Sequence, residues 1–318
     1  MSARLDVQKT YKLFIAGKFP RTESGRSIRF ELASGAVAHL CHASRKDLRD
    51  AVEAARAAQP KWADATAYNR GQVLYRMAEM MEGKRQEFAD AIGEASSRRN
   101  TKASKSRSTS RIRASSARTG STAGRSGAIR EVDAAIDRLV CFAGWADKYA
   151  QVLGCNNPVA SPHYNFTVPE PTGVVAVVAP PGAAEPPLLS LVSLLAPPLC
   201  AGNAVVAIAG DANPVPAAVL GEVCATSDVP AGVVNMLTGK QSELLEHLAN
   251  HRDIDAIHAA NLAKKDAMTL RLGAAENVKR VHVREIEPDH WYEETICESP
   301  WMIEAFVEMK TIWHPSAM

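Results

Sequence analysis

The feature that most constrains the fold is an alternation of apolar runs and helix-like segments between residues 173 and 250. The runs GVVAVVAP, NAVVAIAG and VPAGVVNMLTG are almost continuously apolar, as expected of parallel strands buried on both faces. The segments PLLSLVSLLAPPLCAG and VPAAVLGEVCATSD separate them and have the length of helices. This order predicts a doubly wound α/β fold with a mostly parallel sheet and right-handed crossovers.

The most apolar stretch, Val174 to Ile208, is interrupted too often to cross a membrane. A membrane helix needs about 20 largely uninterrupted apolar residues, and this stretch contains Pro180, Pro181, Pro186, Pro187, Pro197 and Pro198. Residues 1–20 contain no apolar segment followed by a cleavage site, and none of the six cysteines forms a C-x-x-C pair. We therefore expect a soluble core and a reduced, cytoplasmic protein with no membrane partner.

The net charge of +2 conceals a basic segment in an acidic chain. Nine Lys and Arg residues and no acidic residue lie between Arg98 and Arg125, which leaves 28 basic against 35 acidic residues elsewhere. Residues 96–127 are almost only Ser, Arg, Ala, Thr, Gly and Lys, so they lack the apolar surface that folding requires, and we expect a disordered insertion. Two alternatives stay open: a nucleic-acid-binding tract, although no aromatic residue is interleaved, and a local reading-frame artefact.

Four stretches make the chain resemble the aldehyde dehydrogenase superfamily. EPTGVVAVVAP is similar to the strand before the family's P-W-N-F-P loop, and AGNAVVAIAGDANP is similar to its A-G-N-x-V-V-x-K-P-S-E strand and turn. DVPAGVVNMLTG resembles the family's G-x-P-x-G-V-x-N-x-x-x-G segment, and AFVEMKTIWHP resembles the C-terminal strand that pairs across subunits in family oligomers. The resemblance implies a Rossmann-like dinucleotide domain, NAD(P) as the cofactor and an oligomer.

This resemblance divides the chain into four expected regions. Residues 1–95 hold N-terminal strands and helices of the dinucleotide domain, with two short strands over 10–30 and helices from Arg45 and over 67–92. The basic insertion follows at 96–127. Residues 128–285 form the α/β dinucleotide-binding-like domain, and residues 286–318 form a bridge and a C-terminal oligomerisation strand.

Several positions depart from the family pattern. Gly182 stands where the family has the Asn whose amide stabilises the oxyanion, and loss of such a donor typically costs about 10²- to 10³-fold in rate. Ile208 replaces the Lys that contacts the cofactor ribose, and Asp211 replaces a Glu that contacts the same ribose. Residues 259–262 (AANL) replace the F-T-G-S turn and lack its Gly.

The family's catalytic groups are also missing. Arg284 stands where the family has its catalytic Glu, and a guanidinium cannot act as a base at physiological pH. A family enzyme continues for roughly another domain that carries the nucleophilic Cys, whereas about thirty residues follow here. Cys297 in ETICESP matches none of the nucleophile motif, and Glu293, Glu294 and Glu298 are expected to raise its pKa. We therefore expect no catalytic domain and assign no catalytic residue.

The cofactor positions that survive are Asp211, Ala179, Pro180 and Gly239, and we regard them as vestigial. NAD or NADP binding is expected to be weak or lost. No metal site is assigned: His247 and His251 have i, i+4 spacing, but Leu248 stands where a zinc peptidase has Glu, so a solvated helix face is favoured. Trp291, Trp301 and Trp313 are either interface anchors or packed on the chain's own sheet.

Two functions follow. The favoured one is a non-catalytic subunit or remnant that oligomerises with itself or with a full-length aldehyde dehydrogenase, because a chain that keeps a pairing strand but lacks catalytic groups has kept assembly rather than chemistry. The alternative is an active NAD(P)-dependent oxidoreductase that acts on aldehydes with a rewired site.

Overall fold

The computed structural model describes residues 9–31, 37–93 and 116–316, and for residues 116–123 it describes the backbone alone. Its centre is a five-stranded parallel sheet in the order β10-β9-β6-β7-β8. Because β6 pairs with β7 on one side and with β9 on the other, the sheet is doubly wound. This confirms the predicted α/β class. The strands are β6 (Val174–Val178), β7 (Ala204–Ile208), β8 (Val234–Leu237), β9 (Ala256–Ala260) and β10 (Arg280–Arg284).

Helices cover both faces of this sheet, so its strands are apolar on both sides. Alternate residues of β6 divide between two cores: Val175 and Val177 belong to one, and Val174, Ala176 and Val178 to the other. The principal helices are α1 (Arg45–Asp64), α2 (Ala67–Gly83), α3 (Ser116–Trp145), α4 (Tyr149–Leu153), α5 (Pro187–Cys200), α6 (Val215–Thr226), α7 (Gln241–Asn250) and α8 (Lys264–Ala275). One core contains side chains of α2, α3, α5 and α6, and the other contains side chains of α1, α7 and α8.

Local sequence signals explain where several helices begin and end. Ser44 and Asp47 form a capping box at the start of α1, which satisfies two backbone N–H groups reciprocally. The helix predicted over 67–92 is divided at Lys84, after which residues 85–93 are helical again. Helix α5 begins at Pro187, where the missing N–H costs nothing, and keeps Pro197 and Pro198 in its last turn.

A helix begins inside the basic segment that the sequence predicts to be a disordered insertion. Residues 96–115 lie outside the described residues, but α3 starts at Ser116. Residues 116–127, the last part of the expected insertion, are helical and continue directly to Trp145, so regular structure begins before residue 128. The pattern missed this because Ser, Thr and Gly have low helix propensity, and the apolar residues that fix the helix to the core, such as Val132 and Leu139, come later.

Two three-stranded sheets flank the core. The first, in the order β1-β3-β2, contains β1 (Lys9–Tyr11), β2 (Ser27–Glu31) and β3 (Val37–Cys41). β1 and β2 lie where the sequence predicts two strands, but each pairs with β3 and not with the other. The second, in the order β11-β5-β4, contains β4 (Cys155–Asn157), β5 (His163–Pro171) and β11 (Val307–Pro315). Within the described residues, no helix has the length and apolar character needed to cross a membrane.

The bridge before β11 is part of the core rather than a loose connection. It contains a 3₁₀ turn (Pro288–Tyr292), α9 (Glu294–Cys297) and α10 (Trp301–Glu304). Arg138 of α3 is buried and donates to the carbonyls of Trp291 and Cys297 (2.9 and 3.1 Å), to Ser193 Oγ (2.7 Å) and to Glu298. A single guanidinium thus holds the bridge to two helices.

Candidate functional site

Ligands of open α/β sheets bind at the carboxyl ends of the strands, where the strand order reverses. In this chain the reversal lies between β6 and β9. The loop after β6 leads to the start of α5 at Pro187, and the loop after β9 begins at Asn261. These two loops, together with the end of β7 and the start of α7, are therefore the candidate cofactor crevice.

The chain's own carboxylate occupies the start of α5. Glu131 is buried on α3, and its Oε1 accepts hydrogen bonds from the backbone N–H groups of Leu188 (2.7 Å) and Leu189 (3.3 Å). Free N–H groups at a helix N-terminus are what bind phosphate in dinucleotide domains. The two preceding residues, Pro186 and Pro187, have no N–H to offer. The first two N–H groups of α5 are thus already used.

A second set of contacts joins the two loops across the strand reversal. Glu185 Oε1 accepts from Asn261 Nδ2 (3.0 Å), and Glu185 Oε2 accepts from Trp291 Nε1 (2.9 Å). Asn261 also exchanges hydrogen bonds with the backbone of Ile286. We call Glu185, Asn261 and Trp291 the clasp. It joins the loops after β6 and β9 to the bridge at the point where ligands of this fold bind.

Asn261 accounts for the missing glycine of the F-T-G-S turn. Its φ is +51°, a left-handed conformation that Asn tolerates better than most residues. The turn therefore keeps the backbone shape of a glycine position. Its side chain, however, now fills space beside Glu185 that a glycine leaves open.

The four predicted cofactor residues do lie together, around a residue that sequence reasoning missed. The Gln241 side-chain amide is buried and donates to the carbonyls of Ala179 (2.6 Å) and Ala209 (3.1 Å), at the ends of β6 and β7. Its backbone N–H donates to Asp211 Oδ1 (3.0 Å). Pro180 and Gly239 flank this contact: the Pro180 carbonyl lies against Gly210, and Gly239 has a φ of +152° beside Ala43.

Asp211 accepts a hydrogen bond from within the protein although the residue is exposed. Burial raises the pKa of its carboxyl group, while the hydrogen bond from Gln241 and the charge of Lys240 act in the opposite direction. Its Oδ1 caps the first N–H of α7, a favourable place for a carboxylate. Gln241 itself had one available signal, because it lies two residues after Gly239 and opens a helix at the edge where the resemblance places the cofactor.

Arg284, at the position of the family's catalytic Glu, also has a structural partner. Its Nε donates to His258 Nε2 (2.7 Å), and His258 Nδ1 is 2.8 Å from the Leu194 carbonyl. Complete burial, reinforced by the Arg284 charge, lowers the pKa of His258 well below its ordinary value. Nδ1 therefore carries the proton and Nε2 the lone pair, so Arg284 and His258 form a donor–acceptor chain without a base.

Burial disfavours the thiolate form of four cysteines, Cys141, Cys200, Cys224 and Cys297. Burial raises the pKa of Cys141 and Cys224 to about 12 and also raises that of Cys297. Cys297 is fully buried, and burial, more than the charge of Glu298, is the main cause of its raised pKa. A thiol that stays protonated near neutral pH is a poor nucleophile.

The structure also places the histidines and tryptophans that the sequence singles out. His251 Nδ1 accepts from the Asp253 N–H (3.2 Å), and the described residues contain no group of three His, Cys, Asp or Glu side chains arranged for a metal. Trp291 is buried in the chain's own core, whereas Trp301 and Trp313 are 59% and 58% exposed. Trp291 therefore packs inside the chain, whereas Trp301 and Trp313 face outward.

A second surface of functional interest is the outer edge of β11. In the order β11-β5-β4, β11 stands at the sheet margin and pairs with β5 from Val307–Pro171 to Pro315–His163. The hydrogen bonds from Thr172 N to Phe306 O and from Ser316 N to Pro162 O bracket this register. Even-numbered residues of β11 thus bond to β5, and the N–H and C=O groups of Met309, Thr311 and Trp313 face outward.

Fold and crevice together define a protein built on a doubly wound dinucleotide-type domain. A statistical model of the Aldehyde dehydrogenase family matches residues 32–113 and 98–284, so the chain belongs to the aldehyde dehydrogenase family. It is 28% identical over 288 residues to mouse cytosolic 10-formyltetrahydrofolate dehydrogenase and 28% identical over 286 residues to the putative aldehyde dehydrogenase DhaS of Bacillus subtilis. These alignments cover 87% and 86% of this chain.

Solved structures agree on the fold. The NAD+ complex of an aldehyde dehydrogenase from Bacillus cereus superposes with a TM-score of 0.72 at 23% identity and covers 87% of this chain. The chain spans 51% of that structure, 50% of the Bacillus subtilis relative and 28% of the mouse relative. The predicted family and fold are thus confirmed, while the activities of these longer proteins are not transferred by the match.

Proposed function

We propose that this chain is an assembly subunit of the aldehyde dehydrogenase family that does not catalyse aldehyde oxidation. The observation that carries the proposal is the outer edge of β11, where three successive outward positions offer unpaired backbone groups beside Met309 and Trp313, 44% and 58% exposed. Long exposed edge strands are templates for pairing with another chain. In this proposal residues 128–285 are the scaffold, and residues 286–318 carry the pairing strand.

The crevice supports the non-catalytic half of the proposal. Glu131, the clasp and Gln241 occupy the start of α5, the strand reversal and the ends of β6 and β7. A dinucleotide would have to displace all three sets of internal hydrogen bonds, each at the cost of leaving buried polar groups unsatisfied. We infer that NAD and NADP bind weakly or not at all. We also infer that the chain is cytoplasmic, because a relative is named as cytosolic.

The chemistry of the site points the same way. Gly182 has no side-chain donor for an oxyanion, and Arg284 holds a permanent charge bonded to a neutral His258. Burial keeps Cys297 protonated. Covalent aldehyde oxidation needs an activated thiol, an oxyanion donor and a base, and none of these positions supplies one.

Assembly is tested by light scattering on the purified chain, alone and mixed with a full-length aldehyde dehydrogenase from the same genome. Thr311→Pro removes an outward N–H from an edge position where proline is sterically acceptable, and we expect it to shift the assembly to monomer. Thr311→Val is the matched control, because it keeps the N–H and loses only the contact with Thr167 Oγ1. A monomer under both conditions overturns the proposal.

The alternative, an active NAD(P)-dependent oxidoreductase acting on aldehydes, has one observation in its favour. Asp211 is a partly exposed carboxylate at the end of β7, where the family resemblance places a ribose contact. This function predicts saturable NAD or NADP binding by calorimetry and aldehyde-dependent NADH formation that is lost when one of the six cysteines is replaced. A flat titration at millimolar cofactor excludes it.

A further inference from the structure

A groove of about 250 Å³ lies between the first turns of α1 and the end of α7. Basic side chains from three elements line it: Arg45 and Arg49 from α1, His247 and His251 from the end of α7, and Arg252 from the turn that follows. The groove contains none of the residues that fill the crevice, and no residue of β11. We propose that it binds a phosphate dianion, either free or as a phosphomonoester on a larger molecule.

Helical spacing brings four of these side chains to the groove in pairs. Arg45 and Arg49 are four residues apart on α1, so they lie on one side of that helix. His247 and His251 have the same spacing at the end of α7, and both are half-buried where they line the groove. Cationic and N–H groups that approach from two elements can contact different oxygens of one phosphate group.

The turn that carries Arg252 is held in place by its own chain. The Ile254 N–H donates to the His251 carbonyl (3.2 Å), and the Asp253 N–H donates to His251 Nδ1 (3.2 Å). Because Nδ1 accepts this hydrogen bond, a neutral His251 carries its proton on Nε2 and keeps a donor there. Burial lowers the pKa of His251, which favours the neutral form at pH 7. The turn therefore presents Arg252 from a fixed backbone.

The guanidinium groups of the groove are poorly matched by acidic groups of the chain. Arg45 and Arg252 make no ion pair and no side-chain hydrogen bond with the residues that the structure describes. Arg49 contacts Asp50 and Glu53 at 3.4 Å, which is longer than a strong charge-assisted hydrogen bond. A cleft lined by an excess of one charge concentrates ligands of the opposite charge.

Two further groups affect the charge of the groove. Asp253 also lines it, and its carboxylate opposes an anion. The carbonyl end of α7 would oppose an anion as well, but Lys279 Nζ donates to the carbonyls of Leu248 (3.4 Å) and His251 (2.7 Å) and neutralises it. Among the described lining residues, three guanidinium groups therefore face one carboxylate.

This arrangement favours a phosphate over a carboxylate. A carboxylate has two oxygens in one plane, and a single guanidinium can satisfy both. A phosphomonoester has three acceptor oxygens and about two negative charges. Arginine clusters are a recurring means of binding phosphate groups in proteins. Here Arg45 and Arg252 come from elements far apart in the sequence and meet at one groove.

Calorimetric titration of the full chain with inorganic phosphate at low ionic strength tests the proposal. We expect one saturable site per chain with a Kd of about 1 mM or tighter, and much weaker binding of acetate. O-phosphoserine is the second phosphate probe. Tighter binding of O-phosphoserine than of inorganic phosphate would assign the site to a phosphate on a larger molecule, and the reverse order would assign it to the free ion.

Arg45→Gln and Arg252→Gln should each weaken phosphate binding roughly tenfold, because each removes a charge-assisted hydrogen bond. Both side chains are exposed, so the free energy of unfolding should hardly change. Arg76→Gln is the matched control. Arg76 is an exposed arginine of α2, which packs on the opposite face of the sheet, and its loss should leave phosphate binding unchanged.

Asp253→Asn gives a prediction of opposite sign. Removal of its carboxylate should tighten phosphate binding about fivefold, a gain that damage to the fold would not produce. The proposal is overturned by the absence of saturable phosphate binding, by acetate binding as tight as that of phosphate, or by unchanged binding in Arg45→Gln and Arg252→Gln. Each of these results leaves the assembly function standing, because none depends on oligomeric state.

Discussion

The crevice at the carboxyl end of the parallel sheet and the outer edge of β11 differ in whether their polar groups already have partners within the chain. At the carboxyl end of the parallel sheet, Glu131, Gln241 and the clasp bond to the groups that a cofactor would contact. At the edge of β11, backbone groups of three residues face outward without a partner among the described residues. Because polar groups without internal partners are what a binding surface offers, this difference supports the proposal that the chain binds at the strand edge and not in the crevice.

The crevice and the β11 edge also differ in the interactions that fix their structure. The crevice is closed by side chains from α3, the β6–α5 loop, the β9–α8 loop and the bridge, so it depends on tertiary packing. The β11 edge depends only on pairing with β5 and on Arg280, which bonds to Val307 O and lies 2.7 Å from Glu308. Changes in one region should therefore leave the other intact, and this independence is what the following predictions test.

Arg138→Met should have the largest effect, because it removes the buried charge that holds the bridge against α3. Trp291 and Cys297 carbonyls would lose a donor, and Glu298 would lose its partner. Breaking a buried pair by removing one member costs about 3–5 kcal/mol, which urea unfolding will measure. Arg85→Met, which breaks an exposed pair with Asp133, is the control and should change the unfolding free energy far less. Equal losses in the two variants would show that the bridge is not held in this way.

Glu185→Ala should break the clasp without affecting assembly. One of the two Asn261 Nδ2–H groups and the Trp291 Nε1–H would lose their acceptor, at a cost of about 1–3 kcal/mol in unfolding free energy. Light scattering should give the same mass as for the unmodified chain, since β11 is not involved. Glu285→Ala, at an exposed position directly after β10, is the control. A change of oligomeric mass in Glu185→Ala would contradict the independence of the two surfaces.

Stability should fall as pH drops below about 6.5, the usual pKa of a histidine in an unfolded chain. Burial lowers the pKa of His258, His282 and His251 in the folded state, so the unfolded chain binds protons first as the pH decreases. Each such group contributes a slope of at most about 1.4 kcal/mol per pH unit. Urea unfolding between pH 7.5 and 5.5 measures it. His258→Asn should make the slope shallower, and an unchanged slope would contradict the assignment of a neutral His258.

Asp211→Ala should have the smallest effect, about 1 kcal/mol of unfolding free energy, from the loss of the carboxylate that caps α7. Asp211→Asn keeps an acceptor oxygen and should lose less. Calorimetric titration with NAD should be flat for the unmodified chain and for both variants. Saturable binding that Asp211→Ala weakens would instead make Asp211 a cofactor ligand and favour the oxidoreductase alternative.

Sequence patterns predicted the core well because its signals are local. Continuous apolar runs identified β6, β7 and β8, and the capping box at Ser44 is visible as a Ser followed three residues later by an acidic side chain. The start of α3 was missed because the serine- and glycine-rich turns before Ile129 have little intrinsic preference for a helix.

What the sequence by itself determined is the α/β alternation, the family and the absence of suitable side chains at Gly182 and Arg284, because each depends on the identity of residues at fixed positions. Only the tertiary structure decided what fills the crevice: Glu131, Glu185 and Gln241 bond to groups that lie 57, 76 and 62 residues away in the chain. Spacings of that size carry no local pattern. The outward direction of Met309, Thr311 and Trp313 was likewise fixed only when β11 paired with β5, since a strand has no intrinsic edge until its register is set.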